Sequence, residues 1–530
     1  MLVAGALNAQ TIDDAKTKTV NERYELASKE FKTLIQASPT NGEIYFFQGE
    51  NYLKADELDS AKIAWAKGLS VDPTNFYSII GAGKALWYSG DTTAANVRFE
   101  EAIGTSKKKN PEVLRQVAAP MIYAPIKSLS RAVGLLNQAI KIDPKNVEGH
   151  LLLGDAQLEI NSTNATEAMK SYNDALDLTK TANIIVRKAK VYQRAQNYEL
   201  ANDMYKEAQT LEPNYAPAYR ENAELNMQFN QSNSAIQNWE KYLQLNNSDY
   251  ARYRYATSLF SGKRYCEAIT EFQSLHENKF ENLYTQRLLA YSFYECYAAK
   301  PDADSTLFQN GLNASNRFFE VVKKEDIIGL DYKYKGLLLN KLGKDSLGMI
   351  QLKKAVAEDS TIAKDVTSEI AKIHMSNKAY EEAIEAYNFN LKKDSTNLTV
   401  GDYYELGRAY FFGPKDYAMA DSAFAKVAEL TPNYSFAYFW RARSNVQLDL
   451  KKETWAAKEY YEKFIETLSP EDRVGPYKPY VIEGAKYLGD YYVNSAQKDK
   501  EKAKEAWNLV KELDPADKQA KAFFASPAGK

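Results

Sequence analysis

Three histidines, His150, His276 and His374, are the first candidates for metal or acid–base chemistry. Either role needs several such groups converging on one point, and these three fall in three separate stretches of helical pattern. Gly81-Ala82-Gly83-Lys84 has the look of a phosphate-cradling loop. Ser78 stands where the leading glycine belongs, and Ala85 replaces the hydroxyl that would hold magnesium. No nucleophile elbow, His-Glu-His zinc spacing or calcium loop occurs in the chain. A non-catalytic protein without cofactor or metal is the expectation. Two cysteines remain. Cys266 sits near the start of the second helix of one unit, and Cys296 near the end of the first helix of the next. If those helices pack antiparallel, a disulfide is allowed once the Cα atoms come within roughly 7 Å in an oxidising compartment. Two buried free thiols are the alternative.

The elements that position these residues repeat. Tyr45, Gly49, Tyr52, Ala61, Trp65, Gly68 and Pro73 set a pattern 34 residues long. It returns as Ile79, Gly83, Leu86, Ala95, Phe99 and Ala102, then as Ile185, Ala189, Tyr192, Ala201, Tyr205, Ala208 and Pro213. Further on it reads Tyr403, Gly407, Tyr410, Ala420, Phe424 and Pro432. Small residues let two helices of a hairpin touch, and large ones fill the space between neighbouring hairpins, so no unit buries its apolar face alone. These residues and their spacing resemble the tetratricopeptide repeat (TPR) family. The resemblance implies an all-α, right-handed superhelical solenoid of about thirteen helix–turn–helix repeats.

Along the chain, 11–296 reads as a first array, 297–328 as an irregular longer unit or seam, and 329–469 as a second array. A terminal unit with a capping helix occupies 470–530. Pro120 and Pro125 are expected to interrupt the first helix of one unit, and a two-residue insertion lengthens the turn at 161–164. Most units close on an Asp-Pro, Asn-Pro, Glu-Pro or Thr-Pro step, where proline stops one helix and a following Asn or Thr starts the next.

The formal charge is −2 in 530 residues, with 26% charged and 45% hydrophobic residues. That balance gives no field for nucleic acid or an anionic membrane, and no stretch approaches the roughly 20 apolar residues of a membrane helix. Residues 1–10 read like the tail of a secretory signal peptide, similar to exported proteins of the Bacteroidota. Periplasmic localisation is therefore expected, with a cytoplasmic protein as the alternative. Asp59-Ser60-Ala61, Asp345-Ser346-Leu347 and Asp421-Ser422-Ala423 resemble the O-glycosylation signal of such proteins, although Asp-Ser also suits a helix start.

In the TPR family the first helices line a concave groove that binds protein segments, and that geometry carries over to residues here. In one stretch the inner slots hold Arg187, Lys190, Arg194, Arg220, Tyr250, Tyr253, Arg254 and Phe260. In a second they hold Tyr404, Arg408, Phe411, Phe412, Phe436, Phe439, Trp440 and Arg443. Rings offer wide contact at low entropic cost, and arginine pairs with carboxylates. The family's clamp for a partner's terminal carboxylate is not reproduced, since Phe46, Glu50, Ile80 and Lys84 occupy its slots. The resulting expectation is a peptide-binding scaffold within an envelope-associated assembly. A carbohydrate- or cell-wall-binding protein using the aromatic groove is the rival, and a chaperone adaptor or an anchored glycan-uptake protein fits less well.

Overall fold

The computed structural model describes residues 11–107, 109–161, 165–280, 282–393 and 398–529. The export segment at 1–10 and most of the expected turn insertion, 162–164, lie outside these. Thirty α-helices and two short 3-10 turns follow one another, with no strand among the described residues. The chain divides into two compact units, Met1–Ser292 and Phe293–Lys530. Unit 1 holds eight helix pairs, from Ile12–Val20 with Tyr24–Ala37 to Asp249–Ser261 with Tyr265–Glu277. Unit 2 holds five, from Gly329–Lys341 with Asp345–Glu358 to Lys478–Asn494 with Lys500–Leu513.

The beat seen in the sequence is a beat of backbone geometry. In most hairpins the turn places one residue in the left-handed region, and Glu22, Asp56 and Gly90 take it at 34-residue intervals, as do Gln196 and Asn230. The next N–H then reaches back five residues, as from Glu57 to Tyr52 (2.8 Å) and from Gln231 to Asn226 (2.9 Å). This satisfies carbonyls that the ending helix leaves open. Between hairpins, Asn41, Asn75, Asn110, Asn146 and Thr181 cap the next helix by accepting from its first backbone N–H groups.

A second recurring lock uses the turn proline. The hydroxyls of Tyr45, Tyr219 and Tyr438 donate to the carbonyls of Pro39, Pro213 and Pro432, at 2.9–3.2 Å. His150 occupies the same position against the Pro144 carbonyl at 3.0 Å. The histidine is thus a structural equivalent of tyrosine. His276 meets Gln286 instead, and no cluster of metal-binding side chains occurs among the described residues.

Core packing follows the small–large alternation. A Cβ on Gly49 would fall 2.2 Å from the Trp65 indole nitrogen, and one on Gly407 would fall 2.7 Å from the Phe424 ring. The glycines let each first helix lie directly on the large ring of its own hairpin. At the far end, Asp517 caps the helix Lys518–Ala525, and Phe523 stacks on Trp507 at 5.7 Å.

Two local expectations are corrected, on Pro120 with Pro125 and on the Asp-Ser pairs, and one rejection is upheld. The helix Pro111–Tyr123 runs unbroken through Pro120, which sits in its last turn and forfeits one hydrogen bond; Pro125 lies beyond its end. The Gly81–Lys84 stretch is inside the helix Phe76–Tyr88 and forms no loop, and buried Lys84 pairs with Glu50 at 2.8 Å. The Asp-Ser pairs cap nothing. Glu57 and Lys344 hold two of those cap positions, and Asp421 lies inside Tyr417–Leu430, paired with Arg441. No helix is long and apolar enough to cross a membrane among the described residues.

Candidate functional site

Unit 1 holds a half-open chamber of about 720 Å³. Its wall comes chiefly from the first helices of the hairpins, through Lys16, Glu50, Lys54, Arg115, Glu148, Arg187 and Arg220 among others. Positions on one face of each first helix, three or four residues apart, point inward together. The lining carries seven acidic and seven basic side chains, so it has no net charge.

Most of these charges form ladders that step from hairpin to hairpin. Asp155 accepts from Tyr123 of the hairpin before it and from Arg187 of the hairpin after it. Glu159 is bonded in the same way by Lys127 and by Arg194, the latter at 3.1 Å. The Lys127 hydrogen bond, together with Arg194, holds the Glu159 carboxyl below the usual range against the effect of burial. Lys190 reaches Glu221 at 2.6 Å.

One contact closes the wall over a long stretch of chain. Glu22, in the first turn of unit 1, accepts two hydrogen bonds from the Arg220 guanidinium at 3.0 Å and one from the Tyr242 hydroxyl at 2.8 Å. Its backbone carbonyl accepts from the Asn246 amide at 2.6 Å. The first hairpin is thereby fastened to the seventh. Nothing local in the sequence announces this contact.

Two lining charges stand outside the ladders. Lys54 and Glu148 make no hydrogen bond or ion pair among the described residues. Lys54 is exposed by surface area, yet the walls that surround its ammonium thin out its water and hold it below the ordinary lysine range, although Glu148 and Glu50 face it and act the other way. Glu148 also faces Arg115, Arg187 and the Tyr123 phenol.

In unit 2 the corresponding first helices, Val400–Phe412 and Ser435–Leu448, meet through rings. Trp440 stacks on Phe424 at 5.8 Å, meets Phe411 and Phe412 edge-on at 5.2 and 5.5 Å, and donates from its indole N–H to the Tyr404 hydroxyl at 2.9 Å. Burial pushes the Tyr404 phenol up to about 12, against the Trp440 hydrogen bond. Phe412 and Tyr434 leave the cluster partly open, at 42% and 39% exposure.

Of the sequence-predicted residues, Arg187, Lys190, Arg194 and Arg220 do line the chamber, whereas Tyr250, Tyr253, Arg254 and Phe260 lie outside the lining. Tyr404, Phe411, Phe412, Phe436 and Trp440 share the ring cluster of unit 2. Phe439 is fully buried and Trp440 nearly so, which makes both of them core. Every predicted arginine already has a carboxylate. Arg254 is 3.9 Å from Glu224, Arg408 is 3.0 Å from Glu405, and Arg443 meets Glu483 through two bonds of 2.7 and 2.9 Å. Sequence reasoning missed Glu22, Lys54, Arg115 and Glu148, although each falls at an inward position of an early hairpin.

No family model matches the sequence, and no curated protein does. Among solved structures, the C-terminal part of a TPR repeat-containing protein from Cytophaga hutchinsonii is similar. It is 32% identical over 51% of this chain and 98% of its own, with a TM-score of 0.42. A tetratricopeptide repeat protein from Parabacteroides merdae is 20% identical over 47% of this chain and 93% of its own, with a TM-score of 0.30. With hairpins returning every 34 residues and 32% identity along almost all of the Cytophaga segment, the chain belongs to the tetratricopeptide repeat family.

Proposed function

We propose that this protein is a non-catalytic scaffold that holds protein or peptide segments against the inner faces of its first helices. The observation that carries this reading is the unit 1 chamber, walled by first helices and presenting both signs of charge. Lys54 and Glu148 face this space without an ion pair among the described residues. Peptide segments bring backbone donors and acceptors together with side chains of either charge, which such a wall can answer.

A displayed library of 12-residue peptides, selected on the full chain, tests the proposal. Selected peptides should slow amide exchange on first helices such as Gly42–Lys54 and Val147–Ile160. Protection confined to second helices, or a failure to enrich any sequence, sinks it. The double variant Phe439→Ala with Trp440→Ala is unsuited to the purpose, because it removes core.

The carbohydrate reading rests on Phe412 and Tyr434, the partly open rings of unit 2. Sugars need an open ring face, and here Trp440 turns one face to Phe424. That arrangement favours the peptide reading, and a glycan array separates the two. From sequence alone we further propose export to the periplasm, membership of an envelope assembly, and a Cys266–Cys296 disulfide. Cell fractionation checks the first, co-purification from the native envelope the second. Mass spectrometry of unreduced peptides checks the third, and free thiols would remove it.

A further inference from the structure

Every hydrogen bond that joins the first and seventh hairpins of unit 1 lands on one residue, Glu22, among the described residues. Two nitrogens of the Arg220 guanidinium and the Tyr242 hydroxyl donate to its carboxylate, and the Asn246 amide donates to its backbone carbonyl. No apolar seam accompanies them. The cluster that holds Ala15, Ala27 and Phe31 includes no residue of the seventh hairpin, and the cluster around Trp239 and Tyr242 includes none of the first. Neighbouring hairpins are joined by shared apolar interiors. This contact is of another kind, the recognition of one residue's carboxylate and carbonyl.

The groups that receive Glu22 are held in place without it. Tyr242 is 2% exposed, its ring is edge-on to Trp239 at 5.4 Å, and its hydroxyl oxygen accepts from Asn246 at 2.9 Å. Arg220 is braced by Glu221 at 2.7 Å and lies 3.7 Å from Glu224. From the sixth and eighth hairpins, Lys190 pairs with Glu221 at 2.6 Å and Arg254 lies 3.9 Å from Glu224. Without Glu22, the three cations Lys190, Arg220 and Arg254 would face only the two carboxylates of Glu221 and Glu224. The buried Tyr242 hydroxyl would also need a new acceptor. Lys190, Arg220 and Glu221 line the chamber, within reach of a segment held against the first helices.

Resting on the scaffold reading above, we propose that Arg220, Tyr242 and Asn246 form a subsite for a glutamate of the guest segment, which Glu22 occupies as a built-in competitor. The arginine takes the carboxylate through paired bonds, the geometry in which guanidinium is most selective, and Tyr242 adds another. Asn246 reads a main-chain carbonyl beside the carboxylate, so the recognised unit is an acidic residue within a chain rather than a chain's free end. Binding exchanges one carboxylate for another. Glu22 passes into water and the first hairpin is unfastened from the seventh, with no apolar seam broken.

The displayed 12-residue library tests this when selected in parallel on the parent chain and on Glu22→Ala, with melting temperatures showing that both fold. Glu22→Gln, which keeps the side chain's shape, serves as a second variant for the same selection. Peptides from either variant should share a glutamate at one fixed position. Replacing it by glutamine should weaken binding by about tenfold or more, as for a hydrogen bond to a charged group. The parent should bind the same peptides about tenfold or more weakly, because Glu22 competes at high effective concentration. In the Glu22→Ala background, Tyr242→Phe keeps the ring and should weaken binding several-fold, while Arg220→Met should abolish the preference for glutamate. The proposal is overturned if parent and variants bind the peptides equally, or if Arg220→Met leaves the glutamate–glutamine difference intact. Peptides that protect first helices but show no acidic preference would remove this subsite and leave the scaffold reading standing. Enrichment on none of the chains would remove both.

Discussion

In unit 1 the first helices turn carboxylates, ammonium and guanidinium groups inward and pair them across hairpins. In unit 2 the equivalent helices meet through Phe411, Trp440, Tyr404 and their neighbours. Both arrays keep the same interlock, with Gly49 on Trp65 in one and Gly407 on Phe424 in the other. The repeat thus constrains the seam inside each hairpin and leaves the inward positions free to carry different chemistry. A charged inner face keeps water and room for a guest, since ion pairs tolerate solvent. An aromatic inner face closes on itself, since rings gain by contact.

The contrast is testable in order of expected effect. Phe439→Ala removes a fully buried ring and should cost unit 2 about 3–5 kcal/mol in chemical denaturation; a loss below about 1 kcal/mol would mean that the ring is not core. Glu22→Gln weakens the contact joining the first and seventh hairpins of unit 1. Roughly 1–3 kcal/mol of local stability should go, read as faster amide exchange in Ile12–Val20, while exchange in Ser435–Leu448 stays unchanged. A double-mutant cycle on Asp155→Ala and Arg187→Ala should give a coupling on the order of 1 kcal/mol. A coupling near zero would reduce the ladder to decoration. Arg194→Ala, at a more exposed rung, should cost only about 0.2–1 kcal/mol, shrinking as salt is added.

The smallest effect concerns Lys54. Its folded pKa is depressed, chiefly by the walls that surround its ammonium. Whatever stability it contributes is therefore present above the ordinary lysine pKa and is lost as pH falls through its folded value. Lys54 should react with amine-acylating reagents at lower pH than lysines on the outer surface, as mass spectrometry would show.

The repeat length, the helical hairpins, the glycine–aromatic seam and the proline-closed turns are all legible along the chain, because each depends on residues within one or two turns of helix. Pro120 misled because position decides its effect: in a last turn it costs one bond, and the helix continues. The arginines misled for a related reason. Arg187 and Arg194 look like free cations when one hairpin is read alone. Their carboxylates, Asp155 and Glu159, stand 32 and 35 residues earlier, next to them only once hairpins stack.

Sequence by itself therefore determined the fold class and the small–large seam inside each hairpin, since both depend on residues three to four apart on one helix. Tertiary structure alone decided which charges find partners. Curvature brings Glu22 to Arg220 across 198 residues and leaves Lys54 and Glu148 facing one space unpaired. Charges interact through distance in space, and separation along the chain does not encode that distance.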